Sequence, residues 1–330
     1  MIFIGKAPYR VSLLGGSSDL DWFVKENGFG ICLGFALNQY SYSVLNVLPN
    51  NAKKGILDYS TREIYSSIND IVHPIVREVL KELRISKYIE LKTFGFASGG
   101  SGLGGSSSFL LSLISSLANA FEIKLTNQEI IEKACSLEIN NLKKPIGKQD
   151  QYLCANSGFN SFTFFDNDQV KKNNFSIEKL NTLKRLVKDF YLIPTNKNRN
   201  TDKVLSKIKN DRKSTEKILE LRSIASSFLS FNDNREYKIE EIFHNSIRES
   251  WHIKKDLSKV MTPSLIEQYK VINDIIPNNW IRLIGAGGGG YFLISSKLNE
   301  AQILELRDIN GIKGIFKAYV SKEGLSSFSV

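Results

Sequence analysis

Between Leu91 and Phe121 the chain reads LKTFGFASGGSGLGGSSSFLLSLISSLANAF, and few folds accommodate such a stretch. Leu91 to Phe96 has the composition of a short strand. Ala97 to Ser108 is almost wholly Gly and Ser. Phe109, Leu110, Leu113, Ile114, Leu117 and Phe121 then recur at helical spacing, which predicts a helix. A Gly-rich loop entering a helix presents unpaired backbone N–H groups and the positive end of the helix dipole, a setting suited to phosphate. Ser106, Ser107 and Ser108 add hydroxyls at the first helical turn.

Other loops share this look. Gly100, Gly102 and Gly105 satisfy G-x-G-x-x-G, but the dinucleotide fold needs a strand after the helix that ends in an acidic residue. Here EIKLTNQEIIEKACSLEI follows, which reads as a turn and a second helix with Thr126 as its N-cap. No G-x-x-x-x-G-K-[ST] occurs in the chain, so a Walker A loop is absent. A flexible linker is rarely set between a strand and an apolar helix. Phosphate binding is the reading that remains, with Gly100 to Ser107 as its backbone cradle.

The length of 330 residues allows two modest domains or one large one, and 42% hydrophobic with 24% charged residues is ordinary for a globular chain. No apolar run approaches a membrane span and no signal-peptide h-region opens the chain. Cys32, Cys135 and Cys154 are odd in number and widely spaced, fitting reduced thiols and a cytoplasmic setting. With the three histidines they form no metal-ligand pattern. The net charge of +10 raises nucleic-acid binding, and Lys197 to Lys217 is dense in basic residues. Acidic residues are interspersed there and aromatic interleaving is lacking, so a solvated helix face is expected. No nucleic-acid or membrane partner is expected.

Three further stretches carry polar residues in informative places. Ile2 to Leu14 alternates as a strand, puts Lys6 and Arg10 on one face, and breaks at Gly15 and Gly16. Ser17 and Asp19 follow in a tight turn, where Asp19 can accept hydrogen bonds from sugar hydroxyls. Gly30 to Leu48 reads as one or two strands, bending near Asn38 and Tyr40. Ile64 to Arg84 reads as an amphipathic helix. PIGKQDQYLCANSGFNSFTFF begins at Pro145 as a polar turn. Near the C-terminus, GAGGGGY runs from Gly285 to Tyr291, a loop thin enough for close backbone approach.

GSGLGGSSS resembles the phosphate loop of the GHMP kinases, usually written P-x-x-x-G-L-G-S-S. Ser98 and Gly99 stand where prolines are usual, and Gly105 replaces the first Ser. KAPYRVSLLGGSSD resembles the opening of the family's sugar 1-kinases. GKQDQY resembles a block typical of the heptose 7-phosphate kinases, and GAGGGGY resembles the third family motif.

The resemblance spans the chain in the right order and implies an α+β, two-domain GHMP-kinase fold with the active site in the interdomain cleft. The expected N-terminal domain covers 1–175 and carries the Gly/Ser nucleotide loop. The expected C-terminal domain covers 176–330 and completes the substrate site. ATP and Mg²⁺ are the implied cofactors. Gly100, Ser101, Gly102, Leu103, Gly104, Gly105, Ser106 and Ser107 would hold the nucleotide, and Ser106 with Glu138 the metal. Asp150 is implied as the catalytic carboxylate facing the reacting hydroxyl, with Lys6 beside it keeping it ionised. Arg10, Gly15, Gly16, Ser17, Asp19, Gly287 and Gly288 would border the substrate, and Lys148 and Arg199 would meet its distal phosphate. Phosphorylation of the anomeric hydroxyl of a heptose 7-phosphate, on the route to GDP-heptose, is the implied activity. A fucose, galactose or arabinose 1-kinase and a non-catalytic sugar and ATP sensor remain as alternatives. The sequence leaves monomer and homodimer open.

Overall fold

The computed structural model describes residues 1–330 except 98–99, 198–204, 206–207, 209–210, 258–259, 278 and 310–313. Among the described residues the chain is a mixture of helices and two sheets. Strand β1 (Ile2–Leu14) runs as expected and passes through a turn into helix α1 (Asp21–Asn27). Strand β2 (Phe29–Val47) returns antiparallel along nearly the whole of β1. The bend anticipated near Asn38 is a register shift, because Pro8 faces Tyr40 while Tyr9 faces Leu37. This irregularity lets one long strand serve two neighbours on its far side.

Those neighbours are β5 (Ile89–Gly95), which pairs with Ser41 to Val47, and β6 (Phe159–Phe165), which pairs with Phe29 to Phe35. Strands β3 (Gly55–Asp58), β4 (Arg62–Tyr65) and β7 (Val170–Asn173) extend the sheet. The segment from Ile64 to Arg84 is not one helix. It finishes β4, turns, and becomes helix α2 (Pro74–Glu82). Pro74 explains the late start: it disfavours helix at the residue before it and suits the first helical position.

Helix α3 (Gly105–Ala120) follows the Gly/Ser loop and lies across β1 and β2. Its Leu110, Leu113, Ile114 and Leu117 are buried with Leu45, Leu91, Val76 and Val79. Each such leucine contributes about 2 kcal/mol when fully buried. Helix α4 (Asn127–Ser136) opens with the Thr126–Glu129 capping box, then widens into a π-turn over Leu137–Asn141 before helix α5 (Gln149–Ala155).

Helix α6 (Ile177–Leu186) leads to β8 (Phe190–Pro194), the start of the second sheet. Helices α7 (Arg212–Ser230), α8 (Glu236–Lys255) and α9 (Pro263–Ile275) precede strands β9 (Trp280–Leu283) and β10 (Tyr291–Ser295). Helix α10 (Glu300–Asp308) and β11 (Phe316–Lys317) complete this part, with strand order β11-β8-β10-β9. The last strand, β12 (Ser326–Ser329), crosses back and pairs with β1 in the first sheet. Tyr9, Val11 and Leu13 of β1 are buried with Phe190, Phe228 and Phe243. One face of β1 is thereby fixed against the C-terminal half. Trp251 is buried in the core, as its helical position suggests.

Candidate active site

Period-two alternation sends Arg10 and Ser12 to the face of β1 opposite Val11 and Leu13, into a cavity of about 390 Å³. The Gly/Ser loop, the turn after β1, the start of α5 and the Gly285–Ala286 corner close around it. The loop backbone holds positive φ at Gly100, Gly102 and Gly104, and Gly104 caps α3 in the left-handed region with no side-chain cap bond. The N–H groups of the first turn of α3 thus lack intrahelical partners at the cavity wall. The C-terminal Gly run supports the loop from behind. At Gly290, with φ +103, a Cβ would lie 2.2 Å from the Ser101 carbonyl oxygen, so only glycine allows this approach.

Asp150 lies at the start of α5 and is gripped by Arg10. The Arg10 Nε donates to Oδ1 at 2.8 Å, and Nη2 donates to both carboxylate oxygens at 2.7 Å. Arg10 also donates to the Gly102 carbonyl, tying the carboxylate to the Gly/Ser loop. Burial works against the Arg10 charge, but Asp150 more than offsets it and holds the guanidinium above its ordinary pKa. A fork of this kind fixes the carboxylate's orientation in a way a lysine cannot.

The expected partner of Asp150 was Lys6, and the structure does not bring the two together. Residues four apart share a face of a regular strand, but the register shift between Pro8 and Tyr9 reverses the alternation of β1. Ala7 lies in the core around α3 and Tyr9 in the core of the C-terminal half, so Lys6 and Arg10 point to opposite faces. Lys6 instead pairs with Glu323 at 2.5 Å and sits 4.0 Å from the Tyr40 ring centroid. Lys148, expected at a distal phosphate, faces the other side of α5. It pairs with Asp168 at 2.5 Å and lines a separate outer groove. Two residues along a helix turn the side chain by about 200°, so Lys148 and Asp150 diverge. Arg199 lies outside the described residues.

Asp19 is buried at the cavity wall. Its Oδ2 accepts from the Gln149 backbone N–H at 3.0 Å and its Oδ1 from the Gln149 side-chain amide at 2.8 Å. Ser12 donates to the Gln149 carbonyl oxygen at 2.9 Å, which orients that amide. Desolvation pushes the Asp19 pKa up to about 6 from 3.8, against the hydrogen bonds that favour the ionised form. Gly147 makes the arrangement possible: a Cβ there would stand 2.0 Å from Asp19 Oδ2.

Glu138 is fully buried by the π-turn. Its Oε1 accepts from Ser106 Oγ at 2.6 Å and Lys144 Nζ at 2.7 Å, and its Oε2 from Ser107 Oγ and Gln151 Nε2, both at 2.6 Å. Burial would raise the Glu138 pKa, but Lys144 and the two hydroxyls prevail and lower it. Lys144 also donates to Ser106 Oγ at 2.7 Å.

Gly16 and Ser17 line the cavity with the glycines and serines of the loop. Gly15 and Leu103 do not line it: Gly15 accepts from Ser18 in the turn, and Leu103 is buried in the core. Gly287 packs on Val260, and Gly288 donates to the Val260 carbonyl. The cavity is lined by Gly285 and Ala286 instead. Ser12, Lys144, Gln149 and Lys254 also line it and were not singled out from sequence. The GKQDQY block could have pointed to Gln149, and the Lys254–Lys255 doublet on α8 to Lys254. Nothing in the local sequence distinguishes Lys144.

Residues 70–158 match the family model described as GHMP kinases N terminal domain. The chain carries a GHMP kinase N-terminal domain. It is accordingly a kinase, a phosphotransferase. The GHMP relatives span its length. A curated D-glycero-alpha-D-manno-heptose 7-phosphate kinase from Campylobacter jejuni is 24% identical over 98% of each chain. Among solved structures, a D-glycero-D-manno-heptose 1-phosphate kinase from Bacteriodes thetaiotaomicron superimposes with a TM-score of 0.76 at 20% identity, covering 100% of this chain and 99% of that one. Lactococcus lactis galactokinase, solved with galactose, gives 0.73 at 15% identity, covering 100% and 95%. These structural likenesses establish the GHMP-kinase fold. Among the described residues, no helix is long and apolar enough to cross a membrane.

Proposed function

We propose that this GHMP kinase transfers the γ-phosphoryl group of ATP to the anomeric hydroxyl of a heptose 7-phosphate, giving a 1,7-bisphosphate for GDP-heptose synthesis. The observation that carries the reading is the Arg10–Asp150 fork beside the Gly/Ser loop in one cavity. The heptose acceptor is supported by the GKQDQY block and by the name of the C. jejuni relative.

The residues present fit the implied cofactors. The uncapped first turn of α3 offers backbone N–H groups to nucleotide phosphates. Ser106 Oγ and the Glu138 carboxylate form a hydroxyl–carboxylate pair that already grips one cation, the Lys144 ammonium. Such oxygen donors suit Mg²⁺, which when bound would neutralise phosphate charge.

The chain's own groups supply positioning. Asp150, held in one orientation by Arg10, orients the acceptor hydroxyl and takes its proton as the phosphoryl bond forms. Asp19, held by Gln149, accepts hydrogen bonds from other ring hydroxyls. Gly16 and Ser17 let the sugar approach backbone. Lys254, which α8 presents to the same cavity, is our assignment for the 7-phosphate contact on charge and placement.

The test is Mg²⁺-dependent ADP release with a panel of D-glycero-D-manno-heptose 7-phosphate, its non-phosphorylated parent, galactose, fucose and mannose, with products located by ³¹P NMR. The proposal predicts turnover confined to the 7-phosphate and a new anomeric phosphate signal. Turnover on a free sugar, or none at all, contradicts it.

A further inference from the structure

The Ser106–Glu138 pair is not simply a vacant set of oxygen donors. The chain from Glu138 to Lys144 closes on itself twice: the Lys144 N–H donates to the Glu138 carbonyl at 3.0 Å, and its ammonium reaches Glu138 Oε1 at 2.7 Å. Lys143 makes this return with φ +53, a left-handed conformation uncommon for a lysine. The result places a positive charge on both atoms that the metal would use, Ser106 Oγ and Glu138 Oε1.

We infer that Lys144 is a built-in cation of this site, holding Ser106 and Glu138 in place, and that it must leave them for a divalent ion to bind. The inference rests on the assignment of that pair to the metal. Two cations cannot share one carboxylate oxygen and one hydroxyl at contact distance without strong repulsion. The two ends of the pair differ in freedom. Glu138 is 0% exposed, whereas the Lys144 side chain is 22% exposed and has solvent to swing into. The other carboxylate oxygen is held by neutral donors, Ser107 and Gln151, so it stays fixed when Lys144 departs. Gln151 gives up something to serve there: its own Oε1 is buried without a partner among the described residues. An amide turned this way gives the carboxylate a neutral N–H donor that does not depend on Lys144. The lysine therefore keeps a buried charge paired before the metal arrives, and lowers the apparent affinity for the metal in doing so.

The test is Mn²⁺ titration of the whole chain without nucleotide, with free Mn²⁺ followed by electron paramagnetic resonance. Lys144→Met should bind Mn²⁺ tighter by on the order of tenfold, the scale of coupling between competing site occupants. Glu138→Gln should abolish the site. Unchanged or weaker binding in Lys144→Met, with Glu138→Gln still abolishing it, overturns the displacement and leaves the metal assignment standing. Binding indifferent to Glu138→Gln overturns both. A second measurement needs no variant: Mn²⁺ should speed acetic anhydride labelling of Lys144 in the unmodified chain severalfold, read by mass spectrometry. Labelling that is unchanged or slowed by Mn²⁺ overturns the inference.

Discussion

Asp19 is the residue whose replacement should separate stability from function. Burial raises its pKa to about 6 from 3.8, so the folded state holds this proton more tightly than the unfolded chain. The sign follows. The associated stability is fully present below about pH 4 and is lost as pH rises through about 6, where the buried carboxyl must ionise. The gap between about 6 and 3.8 corresponds to about 3 kcal/mol at about 1.36 kcal/mol per unit. Asp19→Asn stays neutral throughout and can keep both contacts if the Gln149 amide turns over, because Ser12 Oγ can then accept. Urea unfolding at about pH 4 and about pH 8 should show the variant gaining most of that 3 kcal/mol on the wild type between the two conditions. The same variant should raise the KM for sugar and remove an acidic limb near pH 6 from kcat/KM. A stability difference between variant and wild type that is equal at both pH values, or that moves the other way, would refute the reasoning.

Two other substitutions follow from the same geometry. Arg10→Lys keeps the charge but loses the fork on Asp150 and the bond to Gly102, so kcat should fall by about a hundredfold or more in steady-state assays. A rate within threefold of wild type would show the fork to be dispensable. Lys179 is buried and donates to the carbonyls of Phe228, Leu229 and Phe231 at the end of α7, at 2.9–3.0 Å. Lys179→Met should lower stability by about 2–3 kcal/mol in chemical denaturation, with little effect on nucleotide affinity.

Much of the site could be read from order along the chain. The β1 turn, the Gly/Ser loop, Glu138 and the GKQDQY block each contribute side chains or backbone to one cavity. What local sequence did not settle was which of two like residues faces it. Lys6 and Arg10 would share a face of a regular strand, but the register shift between Pro8 and Tyr9 reverses the alternation. Ala7 packs in the core around α3 and Tyr9 in the core of the C-terminal half, so Arg10 alone turns to α5 and Asp150. Lys148 and Asp150 are two residues apart, and only the helix phase sends one outward and the other inward. Lys144 comes to Glu138 through a π-turn and a left-handed residue, neither of which leaves a periodic signal. The segment over Ile64 to Arg84 departs from a single helix for a related reason. Its apolar spacing suits a helix, but Pro74 sets the start and β4 finds a partner in β3.

The central claim is that Asp150, held by Arg10 beside the Gly/Ser loop, serves the transfer step and not nucleotide binding. The most direct measurement pairs calorimetric titration of a non-hydrolysable ATP analogue with single-turnover phosphoryl transfer, for wild type and Asp150→Asn. The account predicts analogue affinity within about threefold of wild type and transfer slowed by about 10²–10⁴-fold, the usual contribution of a positioned base. Transfer at the wild-type rate, or loss of nucleotide binding in step with loss of transfer, would contradict it.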